Sequence, residues 1–255
     1  MKRIVYSIFT ENLKEHISAS NFKKQQFIKY KDKIISCQKK YAHNCNASYK
    51  LFNVKSTDYD NIQFKKLYIL EKLSKEYDEI LYIDFDLLPL TNKNIFENLD
   101  TNYVHALVVN KNDEHFNMLN KIKNVDNMNV FIKTCAKNAM LMIDDINSKK
   151  GLINTGVIFA GKEVINKLKL LKRFKKADKI FNIAKNDNIY FDEICNKWFK
   201  NNEVYFSYVV EKYKIPFKDI GIKWNYVFYD IDEHKIPSSA YFIHLISKKF
   251  ETCLE

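Results

Sequence analysis

The stretch Tyr77-Asp78-Glu79-Ile80-Leu81-Tyr82-Ile83-Asp84-Phe85-Asp86 decides the fold prediction, because in it an apolar run leads directly into two carboxylates. Residues 80–83 form a short, continuously apolar or aromatic segment, which is typical of a strand buried on both faces. The run stops at Asp84, and Pro89 ends the extended segment. In open α/β sheets, ligands bind beyond the carboxyl ends of the strands. Asp84 and Asp86 are therefore predicted to lie at a ligand site.

The segments around this strand predict an α/β sheet with parallel crossovers. Strand patterns cover residues 3–10, 49–54 and 104–109, and helical apolar spacing covers 20–43 and 61–76. Residues 95–99 indicate a short helical turn, and the polar segment 110–150 is interpreted as loop and helix. Later segments are predicted as strands at 152–159, 203–210, 222–229 and 241–244, and as helices at 162–184 and 188–200. Gly156 lies inside the first of these strands, which indicates a bulge or a close approach to a ligand.

Composition favours one folded domain. The chain has 255 residues, of which 46% are hydrophobic, enough for a sizeable core. We therefore predict a single domain over 1–255. No apolar run is long enough to span a membrane, and the N-terminus enters a strand without a leader-like segment. The five scattered cysteines contain no C-x-x-C pair, so we expect reduced thiols and a cytoplasmic protein.

The net charge of +11 does not by itself indicate a nucleic-acid site. All 42 basic residues except Arg3 and Arg173 are lysines, and they are scattered along the chain. Nucleic-acid sites usually cluster basic residues on one face and often use arginine. We interpret most lysines as solvated surface, with an anion-binding patch around residues 172–176 as the alternative.

Asp84 and Asp86 have the chemistry of a metal site. Two carboxylates one residue apart at a strand end can share a hard divalent cation, and Mg²⁺ or Mn²⁺ prefers oxygen ligands. Such an ion bridges a protein to a diphosphate and neutralises the charge that develops on a leaving nucleoside diphosphate. The alternative is that the two residues form a turn and a helix cap.

The region from Lys66 to Asp86 resembles the donor site of GT-A glycosyltransferases, most closely glycogenin-like family 8 enzymes and related viral and bacterial sugar transferases. Those families place a basic residue on the helix before a strand that ends in Asp-x-Asp. Further similar segments follow in family order: Tyr41-Ala42, Asn154-Thr155-Gly156-Val157, Asp192-Glu193, Trp224-Asn225-Tyr226 and His244. The resemblance implies a GT-A, Rossmann-like fold with a central, mainly parallel sheet flanked by helices. It also implies that residues 1–255 form one catalytic domain, with a nucleotide-sugar-binding half at 1–110 and an acceptor-side half at 111–255 that completes the metal site.

The resemblance also implies residue roles. Asp84, Asp86 and His244 would hold Mn²⁺ or Mg²⁺, and Asp192 and Glu193 would be the catalytic acidic pair. The favoured donor is a UDP-sugar. It would contact ten residues: Ser7, Ile8, Thr10, Lys66, Asp84, Phe85, Asn154, Gly156, Lys248 and Lys249. The acceptor would be a hydroxyl on a glycan, a protein or another cell or virion component.

The C-terminal segment departs from the family pattern. Family 8 enzymes commonly have His-x-x-Gly-x-x-Lys, whereas here His244 is followed by Leu245-Ile246-Ser247-Lys248-Lys249. The lysine that meets the diphosphate is therefore left open between Lys248 and Lys249. We expect retention of configuration at the anomeric carbon, with inversion left open.

Two other functions compete with sugar transfer. A phosphatase of the haloacid dehalogenase type also uses Asp-x-Asp after an apolar strand, with the first Asp as nucleophile. However, that motif usually closes the first strand of the chain, and here two predicted strands precede it. A lysine-rich nucleic-acid-binding module would instead bind with steep salt dependence and would not need Asp84.

Overall fold

The decisive strand β3 (Glu79–Ile83) lies inside the main sheet and is buried along its whole length. The computed structural model describes residues 1–10, 21–54, 59–109, 124–187, 200–228, 236–246 and 248–255. The chain up to residue 109 contains β1 (Arg3–Phe9), α1 (Asn21–Asn44), β2 (Ser48–Asn53), α2 (Tyr59–Leu73), β3, β4 (Leu87–Pro89), α3 (Ile95–Asn98) and β5 (Val104–Val109). The later part contains α4 (Asn124–Ile143), β6 (Leu152–Gly161), α5 (Lys162–Leu168), α6 (Leu170–Asp187), α7 (Asn202–Lys212), β7 (Phe217–Asp219), β8 (Tyr226–Phe228), β9 (Phe242–Leu245) and α8 (Glu251–Leu254), with a 3₁₀ turn at Ile222–Trp224.

The main sheet has six strands in the order β2-β1-β3-β6-β5-β7. β1 runs parallel to both β2 and β3, and β5 runs parallel to β7. β6 lies antiparallel between β3 and β5, so the sheet is mixed and takes strands from both predicted halves. The parallel β2-β1-β3 part is connected through α1 and α2, as expected for parallel crossovers.

Helices cover both faces of this sheet. Alternate residues of β1 and β3 point to opposite faces: Tyr6 and Tyr82 belong to one core cluster, and Val5 and Leu81 belong to the other. On the first face, α2, α4, α6 and α7 pack against one another and the sheet. On the second side, α1 packs against β2 and β4. The predicted α/β fold, with a mixed and mainly parallel sheet flanked by helices, is confirmed.

A second, three-stranded sheet with the order β4-β9-β8 brings the end of the chain to β3. β4 pairs antiparallel with β9, and Leu87 lies opposite His244 in that register. The backbone N–H of Leu245 donates to the carbonyl of Asp86 at 3.0 Å. This pairing fixes His244 beside the two carboxylates that follow β3.

The prediction of a strand at 203–210 is wrong, because this segment lies within helix α7. Its valines and aromatic residues are typical of a strand. The helix is nevertheless started by Asn201, whose side chain accepts a hydrogen bond from the N–H of Glu203. Residues 204–210 are all buried, so the sequence lacks the polar stripe that marks a surface helix.

Other boundaries also differ from the predictions. Much of the polar segment 110–150 is the long helix α4. The helix predicted at 162–184 is two helices, since Lys169 has a φ of 46° and separates α5 from α6. The helix predicted at 188–200 lies almost wholly outside the described residues. Within the described parts of the chain, no helix is both long enough and apolar enough to cross a membrane.

Candidate metal centre

Three predicted metal ligands meet at the carboxyl end of β3. Asp84, Asp86 and His244 each offer one ligand atom, and these atoms lie within 4.8 Å of one another. Nε2 of His244 is 3.8 Å from Oδ2 of Asp84 and 3.4 Å from Oδ2 of Asp86. Nδ1 of the same ring is hydrogen-bonded to Oδ1 of Asn225 at 3.1 Å. Two carboxylate oxygens and one imidazole nitrogen form a ligand set that suits a divalent cation such as Mn²⁺.

Asp84 presents only one of its two oxygens to this cluster. Its Oδ1 accepts hydrogen bonds from the Tyr82 hydroxyl and from Nζ of Lys66, the latter at 3.2 Å. Burial opposes ionisation of Asp84, but the charge of Lys66 and the hydrogen bonds from Tyr82 and Lys66 outweigh it and lower the pKa of the carboxyl. Asp84 therefore favours the ionised form, and its Oδ2 faces His244.

His244 is held as a buried, neutral ring. Burial lowers its pKa, although the charge of Asp84 acts in the opposite direction. Its side chain is 8% exposed. Neutral imidazole is the form that binds metals. The residues present therefore fit a divalent ion.

Two predicted donor-site lysines lie at the cluster. Lys66 is buried on α2, and its Nζ also donates to the carbonyl of Thr155 at 3.1 Å. Lys248 forms an ion pair with Oδ2 of Asp86. Lys249 is half-buried close by in the sequence, after β9. The structure thus brings Lys66 and Lys248 to the carboxylates, and their contact with a donor stays a prediction.

The N-terminal residues predicted to contact the donor lie at the end of β1, beside the end of β3. The Ser7 hydroxyl is buried at 2.8 Å from both Oε1 of Gln38 and the carbonyl of Ile83. Ile8 belongs to the hydrophobic core, and Thr10 follows the strand, half-buried. The ring of Phe85 packs against Phe9, with the ring centroids 4.6 Å apart. Ser7, Ile8 and Phe85 therefore each make contacts within the fold itself.

Asn154 and Gly156 lie on β6 directly behind His244. The register between β5 and β6 shifts along this segment, because His105 pairs with Phe159 but Leu107 pairs with Asn154. The sequence predicts a bulge or a close approach to a ligand at Gly156. The register shift is a bulge around this residue, and a Cβ at Gly156 would meet the His244 ring. The catalytic candidates Asp192 and Glu193 lie outside the described residues.

The sequence did not identify Tyr82 and Glu203 as site residues. Tyr82 lies two positions before Asp84, so the alternation of side chains in a strand was the signal that could have identified it. Glu203 was hidden because its segment was predicted to be a strand, whereas in α7 it bonds to Asn154.

Replacing Gly156 with alanine is expected to weaken metal binding about 10- to 100-fold, the usual effect of disturbing a ligand's supporting contacts. A Cβ at this position would lie 2.8 Å from Cε1 and 2.9 Å from Nδ1 of His244, so the ring must move. Isothermal titration with Mn²⁺ would measure the change.

Gly161→Ala is the matched control for this prediction. A Cβ there would lie 2.5 Å from the carbonyl oxygen of Thr101, at the other end of β6. It should lower the melting temperature and leave Mn²⁺ affinity unchanged. Equal Mn²⁺ affinities of Gly156→Ala and the wild type would show that His244 is not a ligand.

The fold is similar to that of several solved structures. One is a glycosyltransferase involved in glycosylation of the major capsid of PBCV-1, with 13% identity, a TM-score of 0.46, and coverage of 96% of this chain and 93% of that chain. Another is the galactosyltransferase LgtC in complex with donor and acceptor sugar analogues, with 11% identity, a TM-score of 0.44, and coverage of 96% and 87%. The chain resembles glycosyltransferases in fold. Mouse xyloside xylosyltransferase 1 is also similar, with 10% identity, a TM-score of 0.40, and coverage of 96% and 97%.

No protein-family model and no curated protein matches the sequence. At identities of 10 to 13%, the likeness to solved structures concerns the fold. Function depends on the side chains grafted onto the fold.

Proposed function

We propose that this protein is a metal-dependent glycosyltransferase. It would move a sugar from a nucleoside diphosphate sugar, with a UDP-sugar as the favoured donor, to a hydroxyl of a glycan or protein acceptor. The observation that carries the proposal is the convergence of Asp84, Asp86 and His244 at the carboxyl end of β3. This is the sheet edge at which α/β proteins bind nucleotides.

The proposed mechanism assigns ligand atoms to the three residues. Asp84 would hold Mn²⁺ or Mg²⁺ through Oδ2 and His244 would hold it through Nε2. Asp86 would bind through its carboxylate, with the Lys248 ammonium moving off its Oδ2. When bound, the ion supplies positive charge to a leaving nucleoside diphosphate. Tyr82 and Lys66 keep Oδ1 of Asp84 occupied, so they orient that carboxylate toward the ion.

Lys248 would add a second positive group at the same edge. Burial lowers the pKa of its amine to about 7, and a bound diphosphate would favour the charged form. Its ammonium lies on Asp86, close enough to the cluster to contact a phosphate bound there. A fixed cation at the point where negative charge develops favours departure of the diphosphate. Lys249 is the alternative for this role.

The acidic pair Asp192 and Glu193 is proposed to act at the reacting sugar. In a retaining enzyme Asp192 would position the sugar, and the leaving phosphate would take the proton of the acceptor hydroxyl. In an inverting enzyme Asp192 or Glu193 would act as general base. Retention is the favoured course, and comparison of the anomeric configuration of donor and product would decide it. A cytoplasmic location likewise stays a prediction.

A thermal-shift panel tests the function directly. UDP-, GDP- and dTDP-sugars would each be added with Mn²⁺, with Mg²⁺ and with EDTA. A donor at about 100 times its Kd stabilises the folded state by about 2.7 kcal/mol, which raises the melting temperature by roughly 5–10 °C for a chain of this size. The rise should require the metal. The proposal would be falsified if no nucleotide sugar were bound or hydrolysed in the presence of Mn²⁺.

The competing functions predict different results from the same material. A phosphatase would release phosphate from a phosphate monoester without needing a nucleotide sugar. A nucleic-acid-binding module would bind an oligonucleotide with steep salt dependence and without metal.

A further inference from the structure

A chain of side-chain hydrogen bonds runs from α7 through β6 to the metal ligand His244. Oε1 of Glu203 accepts from Nδ2 of Asn154 at 2.9 Å. Oδ1 of Asn154 accepts from Nδ2 of Asn225 at 2.7 Å. Oδ1 of Asn225 in turn lies 3.1 Å from Nδ1 of His244. The two amides therefore connect an acidic residue to the ring.

Two groups of fixed polarity determine the direction of this chain. The Glu203 carboxylate can only accept, so Asn154 must turn its NH₂ group toward it. The backbone N–H of Gly156 can only donate, and it donates to Oδ1 of Asn154 at 2.9 Å. Both contacts require the same orientation of the Asn154 amide. Asn225 must then offer its NH₂ to Asn154 and its oxygen to His244.

We propose that Asn225, oriented by Asn154 and Glu203, is a positioning residue that fixes the tautomer of His244. The oxygen of Asn225 can only accept a hydrogen bond, so Nδ1 of His244 must carry the proton and donate it. In the neutral ring, Nε2 then keeps its lone pair. Nε2 is the nitrogen that faces Oδ2 of both Asp84 and Asp86. The hydrogen bonds therefore set the tautomer that can bind a cation already in the metal-free protein. This inference rests on the proposed function only in taking the cluster to be a metal site.

Glu203, the acidic end of this chain of hydrogen bonds, is held by contacts of its own. Oε2 of Glu203 lies 2.5 Å from Nζ of Lys133 on α4, so the carboxylate has a counter-charge. The start of α7 is also tied to β6 by buried contacts: Nδ2 of Asn202 donates to the Thr155 hydroxyl at 2.6 Å, and the hydroxyl of Ser207 accepts from the N–H of Ile153 at 2.9 Å. Glu203 therefore holds a defined position relative to Asn154.

Asn225, the residue that contacts His244, is wholly buried. It directly follows the 3₁₀ turn that ends at Trp224. A buried amide with both its oxygen and its NH₂ in hydrogen bonds has little freedom to flip. The predicted contact of Asn154 with the donor would have to coexist with this network.

The test is the tautomer of His244 in metal-free protein labelled with ¹⁵N-histidine. Long-range ¹H–¹⁵N spectra distinguish a protonated Nδ1 from a protonated Nε2, and a His244→Gln spectrum assigns the signal. Wild-type protein at pH 8 should show His244 with the proton on Nδ1. Asn225→Leu, which removes the acceptor at similar volume, should move the proton wholly or partly to Nε2. A proton on Nε2 in the wild type, or an unchanged tautomer in folded Asn225→Leu, would overturn the inference.

Glu203 supplies a second, milder variant and a matched control. Glu203→Leu removes the fixed acceptor, and should shift the tautomer in the same direction by less, since Gly156 still orients Asn154. Glu203→Gln keeps an oxygen that can accept from Asn154, and should retain the wild-type tautomer. An effect of Glu203→Gln as large as that of Glu203→Leu would contradict the proposed direction of the chain. Melting curves establish that each variant is folded.

Mn²⁺ titration separates this inference from the proposed function. Asn225→Leu is expected to lower Mn²⁺ affinity about 10- to 100-fold, as for other residues that support a metal ligand. If the wild type failed to bind Mn²⁺ but showed the predicted tautomer, the proposed function would fail and the role of Asn225 on the ring would stand. If the wild type bound Mn²⁺ and Asn225→Leu bound it equally well, the inference would fail alone.

Discussion

Asp86→Asn is expected to lower metal-dependent nucleotide-sugar turnover on the order of a thousandfold, which corresponds to about 4 kcal/mol. The substitution keeps the size of the side chain and removes one of two carboxylates in the cluster. It also leaves Nε2 of His244, now 3.4 Å from Oδ2 of Asp86, facing a neutral amide. Fewer charges remain to hold a divalent ion, so the leaving diphosphate loses its main source of neutralisation. Turnover of the best donor with Mn²⁺ measures the effect.

The matching control is Asp178→Asn. Asp178 is a surface carboxylate paired with Lys200 at 3.0 Å, and its loss should leave turnover unchanged. Full activity of Asp86→Asn would show that the ion is not held at this strand end. Phosphate release from a phosphate monoester that is lost in Asp84→Asn would instead favour the phosphatase mechanism, in which the first Asp is the nucleophile.

Lys137→Met is expected to reduce the free energy of unfolding by about 3–5 kcal/mol, because breaking a buried ion pair leaves a charge without its partner. The Lys137 side chain is completely buried on α4, and its Nζ lies 2.5 Å from Oε1 of Glu211. The same ammonium donates to the carbonyl of Lys150 at 2.7 Å, just before β6. The melting temperature should fall by roughly 6–20 °C.

The double variant Lys137→Met/Glu211→Leu is the control for this prediction. Replacing both charges by apolar groups removes the unpaired carboxylate, so most of the lost stability should return. Chemical denaturation of the two single variants and of the double variant gives the coupling energy between Lys137 and Glu211. If Lys137→Met unfolded at the same denaturant concentration as the wild type, the pair would contribute nothing to stability.

The positions of the two carboxylates in the candidate metal cluster could be predicted from the sequence, because their signals are local. A buried strand that stops at Asp84 fixes which sheet edge the carboxylates occupy, and Lys66 precedes it on a helix that packs on the same sheet. His244 came from the family pattern. Its position depends on the pairing of β4 with β9, which the spacing of apolar residues does not predict.

The supporting residues could not be predicted, since their contacts join distant parts of the chain. Glu203 lies in a segment rich in valine and aromatic residues, where the local preference for a strand is overridden by a capped, buried helix. Asn225 follows a 3₁₀ turn, and its two amide contacts involve β6 and β9. Such polar networks depend on tertiary packing, and periodicity carries no information about them.

The pairing of β4 with β9 has a consequence for the order of folding. Contacts between residues far apart in sequence form late, because a long loop must close before they contribute stability. The cluster needs β9, near the end of the chain, to dock beside the strand that follows β3. Metal affinity should therefore be acquired only at the final stage of folding, after the earlier strands have assembled. During refolding, the signal from Mn²⁺ uptake would then appear later than the signal from secondary-structure formation.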